Sequence, residues 1–330
     1  MLRLSLFGFV CTCVFTLETY AQDSDVFDSA TPLQVVSSKG EGGEGPAWDP
    51  ELGILTSGNG GICRLSIDGI ASVYREKAGT NGLLFDREGR LVCCEPVLRR
   101  VTRLSRDGKL EVLTDSFSGK KYNQPNDLCL DRQGRIYFSD PRYGPRDDMQ
   151  LRDADGNTIE GVYRINLDGA VERVLGREVE RANGVALSPD DRFLFVADNA
   201  NDRLGGARKL WRFELDSQGN VKPKSGKVLF DWGNGRGPDG IKQDQAGRLF
   251  VAGGTNVAKP PHEPDAALKG GVYVFDFEGK LLAFQNVPTD EVTNCAFGGD
   301  DLRTLYITGG GVLYKTRTKT PGRVYWPHKP

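Results

Sequence analysis

The sequence predicts an all-β protein, specifically a six-bladed β-propeller with four antiparallel strands in each blade. The first observation behind this prediction is a phrase that recurs six times along the 330 residues. The second is that hydrophobic residues alternate, or form short runs, between turn signals, whereas helical spacing is nowhere sustained. Short strands at regular intervals are typical of sheets that repeat around an axis.

Each copy of the phrase contains a short strand, a turn built on Asp, Gly or Pro-Asp, and a second strand rich in aromatic and β-branched residues. The copies read EGPAWDPELGIL from Glu44, NGLLFDREGRLVCC from Asn81, NDLCLDRQGRIYFSD from Asn126, NGVALSPDDRFLFVAD from Asn183, DGIKQDQAGRLFVAGG from Asp239 and NCAFGGDDLRTLYITGG from Asn294. They start 37 to 57 residues apart, which suits a four-stranded unit. A β-sandwich, the structural alternative, does not account for six copies of one phrase.

Further strands complete the repeats, and the last repeat is short of one. A third strand follows the phrase, as in RLSIDG from Arg64, and a fourth follows in most copies. The sixth copy ends after residue 319 with only three strands, so LQVVS, residues 33–37, is predicted to supply the fourth. This N-terminal strand in the last blade would close the ring, and a closed ring predicts one domain over residues 22–330.

Residues 1–21 are predicted to be a signal peptide. Arg3 precedes a mostly apolar run from Leu4 to Leu17, and Thr19 and Ala21 place small residues at −3 and −1 of a cleavage point. The run is too short to span a membrane, and a buried N-terminal helix is the alternative. We therefore expect an exported protein, periplasmic or secreted, without a membrane span.

Composition narrows the classes of partner. The net charge is −2, and no run of Lys or Arg exceeds two residues, so nothing favours nucleic acid. Five cysteines remain after residue 21, an odd and scattered set that favours neither a disulfide framework nor a structural zinc site. With only two histidines, a Ser-His-Asp hydrolase is not favoured. We expect a small-molecule substrate and a monomer or weak dimer.

The residues that open the repeated phrase predict a metal site. The first strand of a blade lines the central channel, so these residues would face its mouth. All six carry a side-chain oxygen, and the register contains no Lys or Arg: Glu44, Asn81, Asn126, Asn183, Asp239 and Asn294. Two carboxylates in a confined mouth repel each other unless a cation lies between them. Hard oxygen ligands favour calcium first, with magnesium, manganese or zinc as alternatives.

Asp239 has a second interpretation. Pro238, Asp239 and Gly240 together are typical of a turn, because Pro presets φ, Asp caps the backbone and Gly accepts positive φ. Glu44, however, is a poor turn residue, so its place in the same register favours metal ligation for both carboxylates. The sequence therefore predicts a turn here that also holds a metal ligand.

The motifs EGPAW, YNQPNDL, RANGVALSPD and GPDGI occur in this order, and together they resemble the senescence-marker-protein/gluconolactonase family, which includes the regucalcin-like proteins. The similarity runs from about Glu44 to Tyr314. The resemblance implies a calcium-dependent propeller lactonase in which Glu44, Asn183 and Asp239 ligate a central ion, with Asn126 as a further ligand or a substrate contact. It also implies that the ion polarises the ester carbonyl while Asp239 acts as general base.

Predicted substrate contacts lie next to this ring. Gln124 stands where animal members of the family place an arginine, which is a departure from their sugar-acid recognition. Gln124 and Asn126 are predicted substrate-binding residues, and Arg142, beside Tyr143 in SDPRYG, is a candidate contact for a substrate anion. A solvated loop arginine is the alternative for Arg142. Three insertions are expected to form a rim on the metal side: 141–160, 199–209 and 254–270.

The predicted function is a metal-dependent hydrolase that opens a lactone. Two alternatives remain at the level of sequence. One is an organophosphate or phosphotriester hydrolase that uses the same metal site. The other is a propeller that serves as a binding module with a purely structural ion. Because a binding module needs no carboxylates in matching register, Glu44 and Asp239 favour catalysis.

Overall fold

The computed structural model describes residues 25–327, which form six four-stranded antiparallel sheets. The innermost strands of successive sheets contact one another in chain order, and the sixth contacts the first, so the ring is closed. This confirms the predicted six-bladed β-propeller. The predicted signal peptide, residues 1–21, lies outside the described residues and stays a prediction. Within residues 25–327 no helix is long and apolar enough to cross a membrane.

Within each blade the strands follow one another from the channel outward in chain order, except that the outermost strand of blade 6 is the first strand of the chain. The first strand is β1 (Gln34–Gly42). Blade 1 comprises β2 (Glu44–Asp49), β3 (Gly53–Gly58), β4 (Gly61–Leu65) and β5 (Ala71–Arg75), and blade 2 comprises β6 (Leu83–Phe85), β7 (Leu91–Glu95), β8 (Arg100–Leu104) and β9 (Leu110–Thr114). A small hairpin of β10 (Ser116–Phe117) and β11 (Lys120–Lys121) precedes blade 3, which comprises β12 (Leu128–Leu130), β13 (Ile136–Ser139), β14 (Val162–Ile165) and β15 (Val171–Leu175). Blade 4 comprises β16 (Ala182–Leu187), β17 (Phe193–Asn199), β18 (Arg208–Glu214) and β19 (Lys227–Asp231), and blade 5 comprises β20 (Pro238–Gln243), β21 (Leu249–Gly253), β22 (Gly271–Phe275) and β23 (Leu281–Asn286). Blade 6 comprises β24 (Val292–Gly298), β25 (Thr304–Gly309) and β26 (Gly311–Arg317), together with β1.

The N-terminal strand closes the ring as predicted. β1 lies at the outer edge of blade 6, antiparallel to β26, with Gln34 opposite Lys315 and Val35 opposite Tyr314. The chain then passes directly into β2, the innermost strand of blade 1. Blade 6 thus contains strands from both ends of the described chain, which ties the first blade to the last.

A repeated hairpin joins the first and second strands of blades 2, 3 and 5. In blade 5, Asp244 Oδ1 accepts the backbone N–H groups of Ala246 and Arg248, and its Oδ2 pairs with Arg248 Nε at 2.6 Å. Gly247 has φ +80°, a conformation that glycine adopts without strain. The same Asp-to-Arg pair recurs at Asp86 and Asp131. The Asp-x-x-Gly-Arg pattern is therefore hairpin chemistry, as the sequence indicated.

Hydrophobic clusters lie between neighbouring blades. The cluster between blades 2 and 3 joins Val92 and Val101 to Leu128, Phe138 and Tyr163. Burying an aromatic or aliphatic side chain of this size contributes about 1.5–3 kcal/mol. The five described cysteines are also buried and free. Four of them belong to these clusters as small apolar residues: Cys93, Cys94, Cys129 and Cys295.

The C-terminal segment, residues 321–326, covers the end of the channel at which the inner strands finish. It contacts every blade. The contacts include Trp326 Nε1 to Asp49 Oδ2 at 2.8 Å (blade 1), the Trp326 ring beside Gly89 (blade 2), Tyr325 Oη to Leu130 O (blade 3), Arg323 Nη1 to Leu187 O at 2.8 Å (blade 4), Arg323 N to Gln243 O at 2.9 Å (blade 5) and Gly322 N to Leu302 O at 2.7 Å (blade 6). A single segment thus ties all six blades together and closes one end of the channel.

The three predicted insertions lie at the opposite end of the channel. They follow the second strands of blades 3, 4 and 5, and each second strand is antiparallel to its inner strand. Buried polar contacts join them: Arg181 bonds Glu160 at 3.1 Å and pairs with Asp202, while Arg208 Nη2 donates to His262 O at 2.7 Å. We call residues 141–160, 199–209 and 254–270 the rim. Its members form one continuous wall.

Removal of the C-terminal segment is expected to destabilise the propeller. A chain ending at Thr320 loses two partly buried aromatic side chains, Tyr325 and Trp326, and the contacts to all six blades, so its free energy of unfolding should fall by at least about 3 kcal/mol. Urea denaturation measures this change. A chain ending at Pro327 keeps the segment and should match the full-length protein. Equal stability of all three chains would show that the segment does not hold the ring.

Candidate metal centre

Three of the four predicted metal ligands, Glu44, Asn183 and Asp239, lie at irregularities of the inner strands. Glu44 pairs with Ser57, and the next pair is Ala47 with Leu55, so three residues of β2 advance against two of β3. The same irregularity occurs around Asn183 in β16 and around Asp239 in β20. A β-bulge of this kind re-aims the side chains next to it. The inner strands of three different blades therefore each begin with the same kind of β-bulge.

The predicted turn at Pro238, Asp239 and Gly240 is wrong. All three residues lie inside β20, and Pro238 pairs with Gly253 of β21. Glycine is required here for another reason, since a Cβ at Gly240 would lie 2.1 Å from Asn294 Cγ of the next blade. A Cβ at Gly184 would likewise lie 2.1 Å from the carbonyl oxygen of Asp239. The glycine that follows a ring residue lets the neighbouring inner strand approach.

The two ring carboxylates crowd negative charge into the channel mouth. Burial, with Asp239 and Asp127 as neighbouring negative charges, raises the pKa of Glu44 to about 8. Burial also raises the pKa of Asp239 to about 6, although contact with Arg236 opposes the shift. Both shifts express the cost of placing these charges together away from water. A bound cation would remove that cost.

Amide oxygens complete a set of donors that fits a divalent cation. Asn81, Asn126 and Asn183 each have a buried Oδ1 without a hydrogen-bond partner among residues 25–327. Buried acceptors are rarely left without a partner, so these oxygens indicate a ligand. Within the described chain no three His, Cys, Asp or Glu side chains cluster as a metal site. The donors are thus two carboxylates and neutral amides, a set that suits calcium.

Two protein cations also reach this region, although the ring register itself contains no Lys or Arg. Arg236 Nη2 lies 3.1 Å from Asp239 Oδ2, and its buried Nε has no partner in the described chain. Lys242 Nζ lies 3.4 Å from Asp127 Oδ2 and 3.1 Å from Asn294 Oδ1. Both side chains are long enough to enter from outside the ring register, so the register alone could not reveal them.

Lys242 spans the centre of the channel below the ring. Its partners Asp127 and Asn294 belong to blades 3 and 6, which lie opposite each other in a ring of six. Strict alternation would place Asp239 and Lys242 on opposite faces of β20, but the bulge between Pro238 and Ile241 shifts the alternation by one residue. Beyond Lys242, a cavity of about 70 Å³ separates the channel from the C-terminal segment.

The predicted substrate contacts take different places. Asn126 is a ring residue, 5% exposed. Gln124 Oε1 accepts the backbone N–H of Tyr143 at 2.7 Å, so part of this side chain holds the rim. The guanidinium of Arg142 bonds Pro145 O at 2.6 Å and Asp148 at 2.8 Å within the rim. The roles of Asn126, Gln124 and Arg142 in substrate binding stay predictions.

A buried aspartate that the sequence did not single out fixes the approach to Asn126. Asp140 Oδ2 accepts the N–H of Asn123 and its Oδ1 accepts that of Gln124, both at 2.8 Å. Burial raises the pKa of Asp140 to about 8. The motif SDPRYG therefore contains both a loop and a carboxylate, Asp140, that holds the backbone before Asn126. The position of the motif directly after a strand was the only sign of this in the sequence.

Gly184→Ala is expected to destabilise the ring. The added methyl would collide with the carbonyl of Asp239, a backbone atom that cannot move alone, and overpacking of this kind costs about 1–3 kcal/mol. Gly176→Ala is the matched control, since the nearest atom to its Cβ is Glu178 Oε2 at 3.6 Å. Denaturation midpoints of the two variants measure the difference. A wild-type midpoint for Gly184→Ala would contradict the close approach of the strands.

Comparison with known proteins agrees with the fold. Residues 42–311 match the SMP-30/Gluconolactonase/LRE-like region family. The chain is 29% identical to a gluconolactonase from Zymomonas mobilis, over 90% of this chain and 84% of that one. It is 27% identical to a pentonolactonase from Haloferax volcanii, over 85% and 86% of the two chains. The structure of a gluconolactonase from Xanthomonas campestris superposes with a TM-score of 0.71 at 28% identity, covering 88% of this chain and 91% of that one. Since the family match spans most of the sequence, the chain belongs to the SMP-30/gluconolactonase/LRE-like family, as the motifs predicted.

Proposed function

We propose that the protein is a metal-dependent hydrolase that opens a sugar lactone. The observation that carries the proposal is the pair of crowded carboxylates, Glu44 and Asp239, set among buried amide oxygens that have no hydrogen-bond partner in the described part of the chain. Membership of the family supports it, as do relatives named gluconolactonase and pentonolactonase. The small-molecule substrate and the carboxylic ester bond follow from the same relatives.

Four ring residues would hold the ion: Glu44, Asn126, Asn183 and Asp239. Their oxygens come from four blades, a loose arrangement that suits the six to eight ligands of calcium. When bound, a divalent ion neutralises the two carboxylates and polarises a substrate carbonyl as a Lewis acid. The amides contribute oxygens without further negative charge, which leaves the ion electrophilic.

Asp239 is the residue that we assign to proton transfer. In lactone hydrolysis the oxygen of water bonds to the acyl carbon, the ring C–O bond breaks, and the product is a hydroxy acid. One proton leaves the water for the Asp239 carboxylate, and one proton returns to the departing alkoxide. Arg236 Nη2, 3.1 Å from Asp239 Oδ2, fixes the orientation of this carboxylate.

The closed end of the channel limits how a substrate reaches the centre. The C-terminal segment covers the far end of the channel, and Lys242 fills the channel between the ring and that segment. Substrate and product must therefore use the mouth beside the rim. On this proposal Asn126, Gln124 and Arg142 line the substrate's side of the mouth. A compact, hydroxyl-rich lactone suits a mouth lined mainly by polar side chains.

Removal of the metal is expected to abolish hydrolysis. Treatment with EDTA should reduce the turnover of D-glucono-1,5-lactone to the spontaneous rate, because the ring would lose its Lewis acid. Activity should return when calcium is added back, and magnesium, manganese and zinc are compared in the same pH-indicator assay. Full activity after chelation would contradict the proposal. Hydrolysis of a phosphotriester but of no lactone would favour the other metal-dependent reaction.

Asp239→Asn is expected to lower kcat for the lactone by at least about 100-fold, since the amide cannot accept the proton of water. Asp168→Asn, on the exposed β14–β15 hairpin of blade 3, is the matched control and should retain wild-type kcat. Circular dichroism and the thermal midpoint show whether each variant is folded. A folded Asp239→Asn variant with wild-type kcat would remove Asp239 from the mechanism.

A further inference from the structure

Tyr143 brings a hydroxyl group from the rim to the metal centre. Its Oη accepts a hydrogen bond from Asn183 Nδ2 at 2.7 Å, and Asn183 is one of the proposed metal ligands. The hydroxyl is also close enough to the Asp239 carboxylate for the two groups to interact electrostatically. Tyr143 therefore lies beside both Asn183 and the proposed general base.

The proton of this hydroxyl has no acceptor in the part of the chain that the structure describes. Among residues 25–327, the only hydrogen bond of Tyr143 Oη is the one that it accepts from Asn183, which uses an oxygen lone pair and leaves O–H free to donate. A phenol hydroxyl loses its proton only at about pH 10. The group therefore keeps its proton at neutral pH and acts as a donor.

The rim holds the tyrosine ring in one place. The Arg181 guanidinium lies over the ring, 5.0 Å from its centre, and Arg181 is itself 2% exposed. Glu160 bonds Arg181 Nε at 3.1 Å and also accepts the N–H of Arg142 at 2.7 Å. Gln124 Oε1 accepts the N–H of Tyr143 at 2.7 Å. Side chain and backbone are thus fixed from two blades before any ligand arrives.

We propose that Tyr143 is a catalytic residue whose hydroxyl donates a hydrogen bond to the acyl oxygen of the lactone as water attacks. This inference rests on the proposed function. A donor that is already oriented stabilises charge as it develops on that oxygen, without reorganisation during the reaction. No proton is transferred in this contact, so the proton balance through Asp239 is unchanged. Gln124 then acts as a positioning residue, through Tyr143.

Tyr143→Phe tests the contact. The variant should lower kcat for D-glucono-1,5-lactone by about 100-fold with little change in KM, because the lost hydrogen bond strengthens only in the transition state. Tyr163→Phe is the matched control. Tyr163 lies in the same blade, its buried hydroxyl has no partner in the described chain, and its removal should leave kcat unchanged.

Calcium affinity separates this role from a structural one. Calorimetric titration of the Tyr143→Phe variant with calcium should give a dissociation constant within threefold of wild type, since Asn183 Oδ1 is not involved in the contact with Tyr143. If affinity instead falls tenfold and kcat recovers at saturating calcium, Tyr143 only orients Asn183 and the inference is overturned. A raised KM with normal kcat would overturn it as well.

A double-mutant cycle tests the positioning role of Gln124. Gln124→Met should lower kcat about tenfold in the wild-type background and have no further effect in the Tyr143→Phe background. Additive losses would mean that Gln124 contacts substrate itself. Failure of the proposed function gives a different pattern, because wild type would then hydrolyse no lactone. If wild type hydrolyses the lactone and Tyr143→Phe has no effect on kcat, the role of Tyr143 is contradicted but the proposed function is not.

Discussion

The convergence of six inner strands around one axis is the constraint on which the structure depends. The position directly after Asn183 and the position directly after Asp239 have no room for a Cβ. A methyl group at Gly184 or Gly240 would lie 2.1 Å from an atom of the next blade. The residue before each glycine is consequently brought close to its counterparts in the neighbouring blades. The ring of oxygens is therefore a consequence of how the blades pack. Its chemistry follows from which side chains occupy positions that the packing has already brought together.

Two protein cations partly offset the crowded negative charge at the mouth, and they lie above and below the ring along the channel axis rather than within it. Arg236 approaches Asp239 from the rim side, while Lys242 pairs with Asp127 one layer deeper. Neither cation removes the problem, because the pKa of Glu44 still rises to about 8. A protein that needed only a stable channel would place amides at both positions. Retention of two carboxylates indicates that the remaining negative charge serves a ligand.

Much of this could be predicted from the sequence, because a repeated phrase reports both the number of blades and the register of their inner strands. The ring residues Glu44, Asn126, Asn183 and Asp239 followed from that register. Lys242 did not, since a bulge that shifts the alternation has no marker in the sequence. The contact between Trp326 and Asp49 joins residues 277 positions apart, so no local pattern announces the C-terminal segment. The link from Gln124 to Tyr143 depends on how two loops meet.

The unpartnered amide oxygens indicate which parts of the site are incomplete without a ligand. A buried acceptor that loses its hydrogen bond to water costs about 1–3 kcal/mol, and Asn81, Asn126 and Asn183 each have one. The surroundings could have supplied donors, as they do for Asp140, which accepts two backbone N–H groups a few residues from Asn126. Among the described residues, the fold supplies an N–H donor to each oxygen of Asp140 but none to these ring amide oxygens, so the ring is the part of the site that a ligand would complete. An ion that fills it would stabilise the folded state in proportion to its binding free energy, which links the stability of the propeller to the occupancy of its centre.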